Sequence, residues 1–347
     1  MPRLLRIERA GAWYHITARG NERRSIYRDE RDRLHFLDLL PDWLERFRCR
    51  LHAYVLMENH YHLLLETREA NLSRALQWLN TSYSVWFNRR HQRVGHLFQG
   101  RFRGVIVEPA TWALGLSRYI HLNPVRVGRL GLDKPAQRAQ RRGISRPPRP
   151  ELIQARLTRL REYRWSSYRA YAGSEKATPW VESRAVLSFG GGRSHEQRAR
   201  YREYVEEAVR EGYAERPWES LVARLALGSR EFTKQLIEEP SEAQAGQEIA
   251  KALAERPAFA KVVQVIERLK GEKWEEFKER HGDWGRDMAL HLGRELGGLS
   301  LAELGQMVGS RSAMTVSIAL KRLAKSLAAD DALAAALKKA KAELLKV

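Results

Sequence analysis

The run 55–66, V-L-M-E-N-H-Y-H-L-L-L-E, constrains the fold more than any other stretch, because it sets two histidines one residue apart inside an apolar segment. Glu58-Asn59 reads as a turn that leads into a strand, and successive side chains of a strand leave opposite faces. His60 and His62 then share one face, and Tyr61 takes the other. Two imidazoles on one face are half of a metal site. The other half must come from elsewhere, and Y-I-H-L-N at 119–123 offers the donors. A His-X-His in a strand also serves as a plain structural pair, so the neighbouring elements decide between the two.

Those elements can be read in order. W-Y-H-I-T-A-R at 13–19 is aromatic and β-branched and ends at Gly20-Asn21, which predicts a first strand and a turn. Leu34, Leu37, Leu40, Leu44 and Phe47 recur at three and four, predicting a helix over 31–48 that Pro41 should kink. The alternation over 49–57 predicts a second strand, paired with a third at 60–67 as an antiparallel hairpin. Leu72, Ala75, Leu76, Leu79, Tyr83 and Trp86 or Phe87 mark a helix over 71–90 with a basic end, N-R-R-H-Q-R. A strand over 98–107 is basic at Arg101 and Arg103 and then apolar. Pro109 suits the first position of a helix, and Pro124 stops that helix at Asn123. The expected architecture is α+β, an antiparallel sheet with helices on one face, closing near Leu132 and followed by an all-α C-terminal domain.

Composition narrows the partner. The chain has 347 residues, with 62 Lys and Arg against 42 Asp and Glu, a net charge of +20. Phosphate backbones are bound largely through such a surplus, so nucleic acid is the expected ligand. An anionic membrane surface would also suit the charge, but no apolar stretch approaches the roughly 20 residues that span a bilayer. The N-terminus lacks an apolar signal core, so a cytoplasmic, nucleoid-associated protein is expected. The single cysteine, Cys49, excludes an internal disulfide and a cysteine-rich zinc site. Four regions are expected: 1–132 as the catalytic domain, 133–193 as a basic insertion with an aromatic tail, 194–260 as a solvated helical connector, and 261–347 as a terminal helical domain. In the insertion, 133–163 is Arg-, Pro- and Gln-rich and reads as partly disordered with a short basic helix.

On the helix from Pro109, Trp112, Leu116, Tyr119, Ile120 and Asn123 lie at steps of three and four, so Tyr119 and Asn123 sit on or beside the sheet-facing stripe. Packed by the hairpin, Asn123 joins His60 and His62 as a third metal ligand and Tyr119 faces what the metal polarises. Two neutral imidazoles and an amide leave an ion most of its Lewis acidity, which suits Mg²⁺ or Mn²⁺. A phenol there attacks phosphorus and forms a phosphotyrosine, whereas a water nucleophile would hydrolyse. Arg89, Arg90, Arg93, Arg101 and Arg103 are the candidate phosphate contacts, and aromatic side chains could stack on unpaired bases. A non-catalytic DNA-binding regulator and a metal-dependent hydrolase remain alternatives, as do a monomer and a homodimer.

M-E-N-H-Y-H-L-L-L, then L-F-Q-G-R-F, then S-R-Y-I-H-L-N-P-V-R resembles the single-tyrosine HUH transposases, in particular the REP-associated tyrosine transposases. The resemblance runs over about residues 8–130 and resumes at Y-R-W-S-S-Y-R-A-Y-A-G. It implies a ferredoxin- or RRM-like HUH fold, His60 and His62 as HUH metal ligands, Asn123 as the third ligand and Tyr119 as the nucleophile. It also implies cleavage of single-stranded or hairpin REP-type DNA, leaving a 5′-phosphotyrosine and a free 3′-hydroxyl. Glu58 stands where that family usually has proline, and the 133–163 insertion is longer and more basic than the family's. His121, two residues from Tyr119, points roughly 200° away around the helix and is neither ligand nor base.

Near the C-terminus, two short helices flank Gly309-Ser310-Arg311, a helix-turn-helix pattern. R-D-M-A-L-H-L-G-R-E-L through M-T-V-S-I-A-L resembles the DNA-binding domain of the replication initiator DnaA, which implies duplex contacts by Arg286, Arg311 and Thr315. Ser312 and Ala313 replace that family's base-reading Asp-His pair, implying a different target or less specificity.

Overall fold

The structure is a computed structural model that describes residues 7–133, 135–136, 148–211, 217–223, 225–238, 256–309 and 313–344. The basic run 137–147, the stretch 239–255 and Arg311 lie outside the described residues. The chain forms two compact units, 1–132 with 148–213 and 133–147 with 214–347.

In the first unit, β1 (Ala12–Arg19), β2 (Cys49–Met57), β3 (His60–Thr67) and β4 (Arg103–Val107) pair antiparallel in the order β2-β3-β1-β4. The hairpin is as expected: Met57 pairs with His60 across the Glu58-Asn59 turn, and the register slips once, between Leu51 and Ala53. β1 lies between β3 and β4. Both of its edges are therefore paired, and Trp13, Tyr14, His15 and Ile16 are all buried.

α1 (Glu30–Arg46) begins at Asp29, whose carboxylate accepts from the backbone N–H of Asp32. It runs through Pro41 and buries Phe36, Leu40, Trp43 and Leu44. Leu34 is 46% exposed, so the apolar stripe begins at Phe36 and not at Leu34 as its spacing suggested. The Trp43 indole donates to the carbonyl of Ala75 (2.8 Å) and ties α1 to α2 (Leu72–Arg90). Both helices lie on the Tyr61 side of the sheet. Tyr61 is sealed there, donating to Asn80 Oδ1 (2.6 Å) with its ring 5.0 Å from that of Phe36.

The expectation of helices on one face needs correction, because α3 (Pro109–His121) covers the opposite, histidine-bearing face. That face is also apolar: Trp13, Val55, Leu64, Val105 and Val107 are all buried and need a cover of their own. The α+β class itself stands.

Four later helices complete this unit: α4 (Pro150–Glu162), α5 (Tyr168–Tyr171), α6 (Arg184–Ser188) and α7 (Gln197–Glu211). α7 lies where a solvated connector was expected, yet Tyr201, Val205 and Val209 are buried and Glu206 pairs with Arg161 (2.6 Å). Its charged residues mask an apolar stripe at steps of four, which holds it to the unit.

The second unit is mostly helical, with α8 (Phe259–Lys270), α9 (Trp284–Glu295), α10 (Leu301–Met307), α11 (Ala313–Ala329) and α12 (Asp331–Leu344). Ser300 caps α10 in a reciprocal capping box with Glu303. Leu290, Leu299, Leu304, Val308, Val316 and Ala319 form the core that joins α9, α10 and α11. Among the described residues no helix is long and apolar enough to cross a membrane.

Candidate functional site

Strand register assembles one side of the site. Arg19 lies opposite His60, Thr17 opposite both His62 and Arg103, and His15 opposite Leu64. Directly paired residues of an antiparallel sheet share a face, so His15, Thr17, Arg19, His60, His62 and Arg103 all point the same way. The rings of His60 and His62 are 5.0 Å apart, and those of His15 and His62 5.1 Å.

Each candidate ligand is oriented by a hydrogen bond on its far side. Nδ1 of His62 lies 3.0 Å from Nε2 of His15 and 3.0 Å from Oγ1 of Thr17. Nδ1 of His60 lies 2.7 Å from Oδ1 of Asn59, which must accept, so Nδ1 carries the proton and Nε2 the lone pair. Imidazoles that ligate metals have this arrangement, with one nitrogen tethered and the other turned to the ion.

All three histidines are held neutral. Burial, and then the Arg103 charge, lowers His15 to about 3. Burial, and then Arg19, lowers His60 to about 4. Burial drives His62 well below its usual range, with His15, His60 and Arg126 adding to the effect.

α3 brings the second half. Leu116 and Ile120 are buried against the sheet, and Tyr119, half-buried beside them, sets its ring 5.7 Å from His62 and 6.0 Å from His15. Just past the helix, the guanidinium of Arg126 sits 4.8 Å over the Tyr119 ring. Asn123 donates its amide N–H to the carbonyls of Tyr119 (2.8 Å) and Ile120 (3.2 Å) in the last turn of α3. Because both partners are carbonyls, the amide must present Nδ2 to them, and Oδ1 is its outward pole.

The donors that could hold a divalent cation are two neutral imidazoles with tethered Nδ1 and an amide oxygen. Among the described residues no group of three His, Cys, Asp or Glu side chains forms a metal cluster, and a set with only two such members would not form one.

His121 points away from this site, as its position on α3 requires. It is fully buried, with Nδ1 2.7 Å from Tyr201 Oη and Nε2 2.8 Å from Ser167 Oγ.

Residues 9–123 match the family model described as "Transposase IS200 like". Over this stretch the chain is similar to the IS200-like transposases. The match begins just before β1 and ends at Asn123, so it covers β1 to β4 and α1 to α3 and none of the later helices. A solved structure described as a REP-associated tyrosine transposase bound to a REP hairpin is similar at 13% identity, covering 52% of this chain and 89% of that one, with a TM-score of 0.35. No curated protein matches the chain.

The candidate DNA contacts separate into four groups. Arg89, Arg101 and Arg103 are exposed. Arg90 is bound to Asp29 (2.7 Å) and to the sealed carboxylate of Asp32, and Arg93 donates to Asn88 Oδ1 (3.1 Å). Arg286 is 1% exposed, donating to the Lys278 carbonyl (2.8 Å) and to Asp287, so it braces α9 and has no surface to offer a phosphate. Its place on an apolar-facing turn of α9 overrides the resemblance. Thr315 is half-buried at the start of α11.

Sequence reasoning missed His15, Thr17, Arg19 and Arg126. The first three were legible, since W-Y-H-I-T-A-R had been read as a strand and its alternate residues share a face. Arg126 follows the helix stop and carried no periodic signal.

Proposed function

We propose that this chain is a metal-dependent single-strand DNA endonuclease and strand transferase of the tyrosine transposase type, with Tyr119 as nucleophile. The observation that carries the reading is the convergence, within one chain, of the Tyr119 ring on a pair of tethered, neutral imidazoles. Mg²⁺ or Mn²⁺ held by Nε2 of His60, Nε2 of His62 and Oδ1 of Asn123 would polarise the scissile phosphate.

Tyr119 Oη attacks phosphorus, the P–O3′ bond breaks, and the phenol's proton ends on the departing 3′-oxygen. The products are a 5′-phosphotyrosine and a 3′-hydroxyl. The phosphoester is conserved, so attack by a 3′-hydroxyl on the same phosphorus reverses the step and rejoins a strand. Arg126, over the ring, stabilises negative charge as it develops on the phenol. Arg19 and Arg103, on the same face as the histidines, contact the flanking phosphates. Thr17 and His15 hold His62 in the ligating orientation. Hairpin DNA of the palindromic-repeat kind is the proposed substrate, and the α9–α11 helices are proposed to add duplex affinity through a helix-turn-helix.

The test is a denaturing gel with a labelled hairpin oligonucleotide from repeats flanking the gene. A covalent adduct should appear with Mg²⁺ or Mn²⁺ and vanish with EDTA or in Tyr119→Phe. An adduct that survives Tyr119→Phe would sink the assignment of the nucleophile, and cleavage without any adduct would indicate hydrolysis by water.

A further inference from the structure

The outer face of α2 has a composition that neither packing nor the chemistry above requires. A solvated helix face normally mixes both signs of charge, yet the whole of α2, L-S-R-A-L-Q-W-L-N-T-S-Y-S-V-W-F-N-R-R, contains no Asp or Glu. Its buried positions are Leu72, Ala75, Leu76, Leu79, Tyr83 and Phe87. The opposite stripe runs Arg74, Trp78, Thr81, Val85 and Arg89, at steps of three and four.

Two large apolar side chains lie on that stripe: Val85 is 63% exposed, and Trp78 is only half-buried. Trp78 lines a cleft of about 750 Å³ together with Arg46, Phe47, Arg74, Gln77 and Thr81. The Arg46 guanidinium lies 5.4 Å over Trp78 and 5.8 Å over Phe47, and that of Arg74 lies 5.9 Å over Phe47. Among the described residues neither arginine meets a carboxylate. The acids nearby are engaged elsewhere, Glu69 by Arg48 (3.4 Å) and Glu8 by the Ser73 backbone N–H (3.2 Å).

We propose that this face is a second nucleic-acid site, a track for single-stranded DNA in which Arg46, Arg74 and Arg89 contact phosphates and an unpaired base stacks in the Phe47–Trp78 cleft. Arginines beside a partly exposed tryptophan, with no acid paired to them, are the combination that binds single strands with little regard to sequence. A duplex would satisfy the arginines but offers no free base face to Trp78.

The track also runs toward the histidine end of the sheet. Asn80, midway along α2, is hydrogen-bonded to Tyr61, the residue between the two histidines. α2 starts beyond the far end of β3, so its Arg89 end extends past the histidine end of the sheet. From Arg74 to Arg89 is 15 residues, or about 22 Å of helix. A strand lying along it would occupy the face of the sheet opposite Tyr119. The proposal rests on DNA being the ligand but not on its cleavage.

Binding of the full-length chain to a labelled thymidine homopolymer, followed by fluorescence anisotropy in EDTA, separates this idea from the catalytic one, because no metal or nucleophile takes part. Trp78→Ala should weaken binding about tenfold or more, and Trp78→Phe should keep most of the affinity. The double variant Arg46→Gln/Arg74→Gln should reduce the slope of log K against log salt by about 1.4. Duplex affinity should hardly change in the two Trp78 variants, and their urea midpoints should match the parent's. Parental homopolymer binding by Trp78→Ala would overturn the proposal, and so would an equal loss of duplex binding.

Discussion

His121 provides the sharpest test of how α3 is held. It is fully buried, and burial lowers it from 6.5 to about 3, so the imidazole stays neutral through the range in which the unfolded chain takes up a proton. A group whose folded value is depressed in this way binds fewer protons folded than unfolded, so stability falls as pH drops below 6.5. The loss attributable to His121 is roughly 2 kcal/mol by pH 5 and about twice that by pH 3. His121→Leu removes that dependence along with two hydrogen bonds, those to Tyr201 and Ser167. Neither partner is stranded, since Tyr201 still donates to Ser117 (2.9 Å) and Ser167 Oγ still accepts from the Tyr54 N–H (3.0 Å). The cost at pH 7 is therefore about 2 kcal/mol, the net worth of two ordinary hydrogen bonds. Parent and variant should differ by that amount at pH 7 and become equal near pH 5, with the variant the more stable in stronger acid. Because the chain has two units, the readout should be local: urea-dependent hydrogen exchange of α3 amides, corrected for intrinsic rates. A gap that stays constant from pH 7 to pH 4 would refute the neutral, buried imidazole.

Two further outcomes follow from the same structure. Arg286→Ala should destabilise the second unit by about 2–3 kcal/mol, because a sealed guanidinium is lost while Asp287 keeps Arg322 (2.8 Å), and duplex affinity of the folded protein should not change. Hydrogen exchange over α9 with a gel-shift titration checks both, and a large loss of affinity without loss of stability would restore Arg286 as a DNA contact. Thr17→Val should weaken Mn²⁺ binding about tenfold or more by calorimetry, since orienting partners of metal-bound histidines contribute at that level. Unchanged affinity would mean that His15 alone holds His62.

Periodicity and turn chemistry made most of the N-terminal sheet legible. Glu58-Asn59 and the alternation around it identified the hairpin, and Pro109 and Pro124 bounded α3 because their effects are local. Three features were not local. The α1 stripe was read from Leu34, but Phe36 is the residue that meets Tyr61, and only the packing of α1 on the sheet decides that. The second layer of helices was missed because a face carrying histidines looks polar in a sequence, while Val55, Leu64 and Val105 on that face are fully buried. Arg90 and Arg286 looked like free cations because their partners, Asp29, Asp32 and the Lys278 carbonyl, are revealed only by tertiary structure.

The boundary of the family match bears on how the site works. It ends at Asn123, the last of the proposed donors, and Arg126, proposed to act on the phenol, lies just beyond it. Yet α3 is gripped from behind by residues outside that segment, Ser167 and Tyr201, which reach His121 two positions from the proposed nucleophile. One helix thus carries the proposed nucleophile on one side and a sealed hydrogen-bond network on the other. A ring that must meet a phosphate in line needs its helix fixed against rotation, because a few degrees at the axis displaces a phenol oxygen appreciably at the end of its side chain. The later helices supply that restraint in this chain. Their dense aromatic sequence, W-S-S-Y-R-A-Y-A-G, is accounted for by it: Tyr168, Tyr171 and Tyr201 pack their rings around His121 at 4.9 to 5.8 Å.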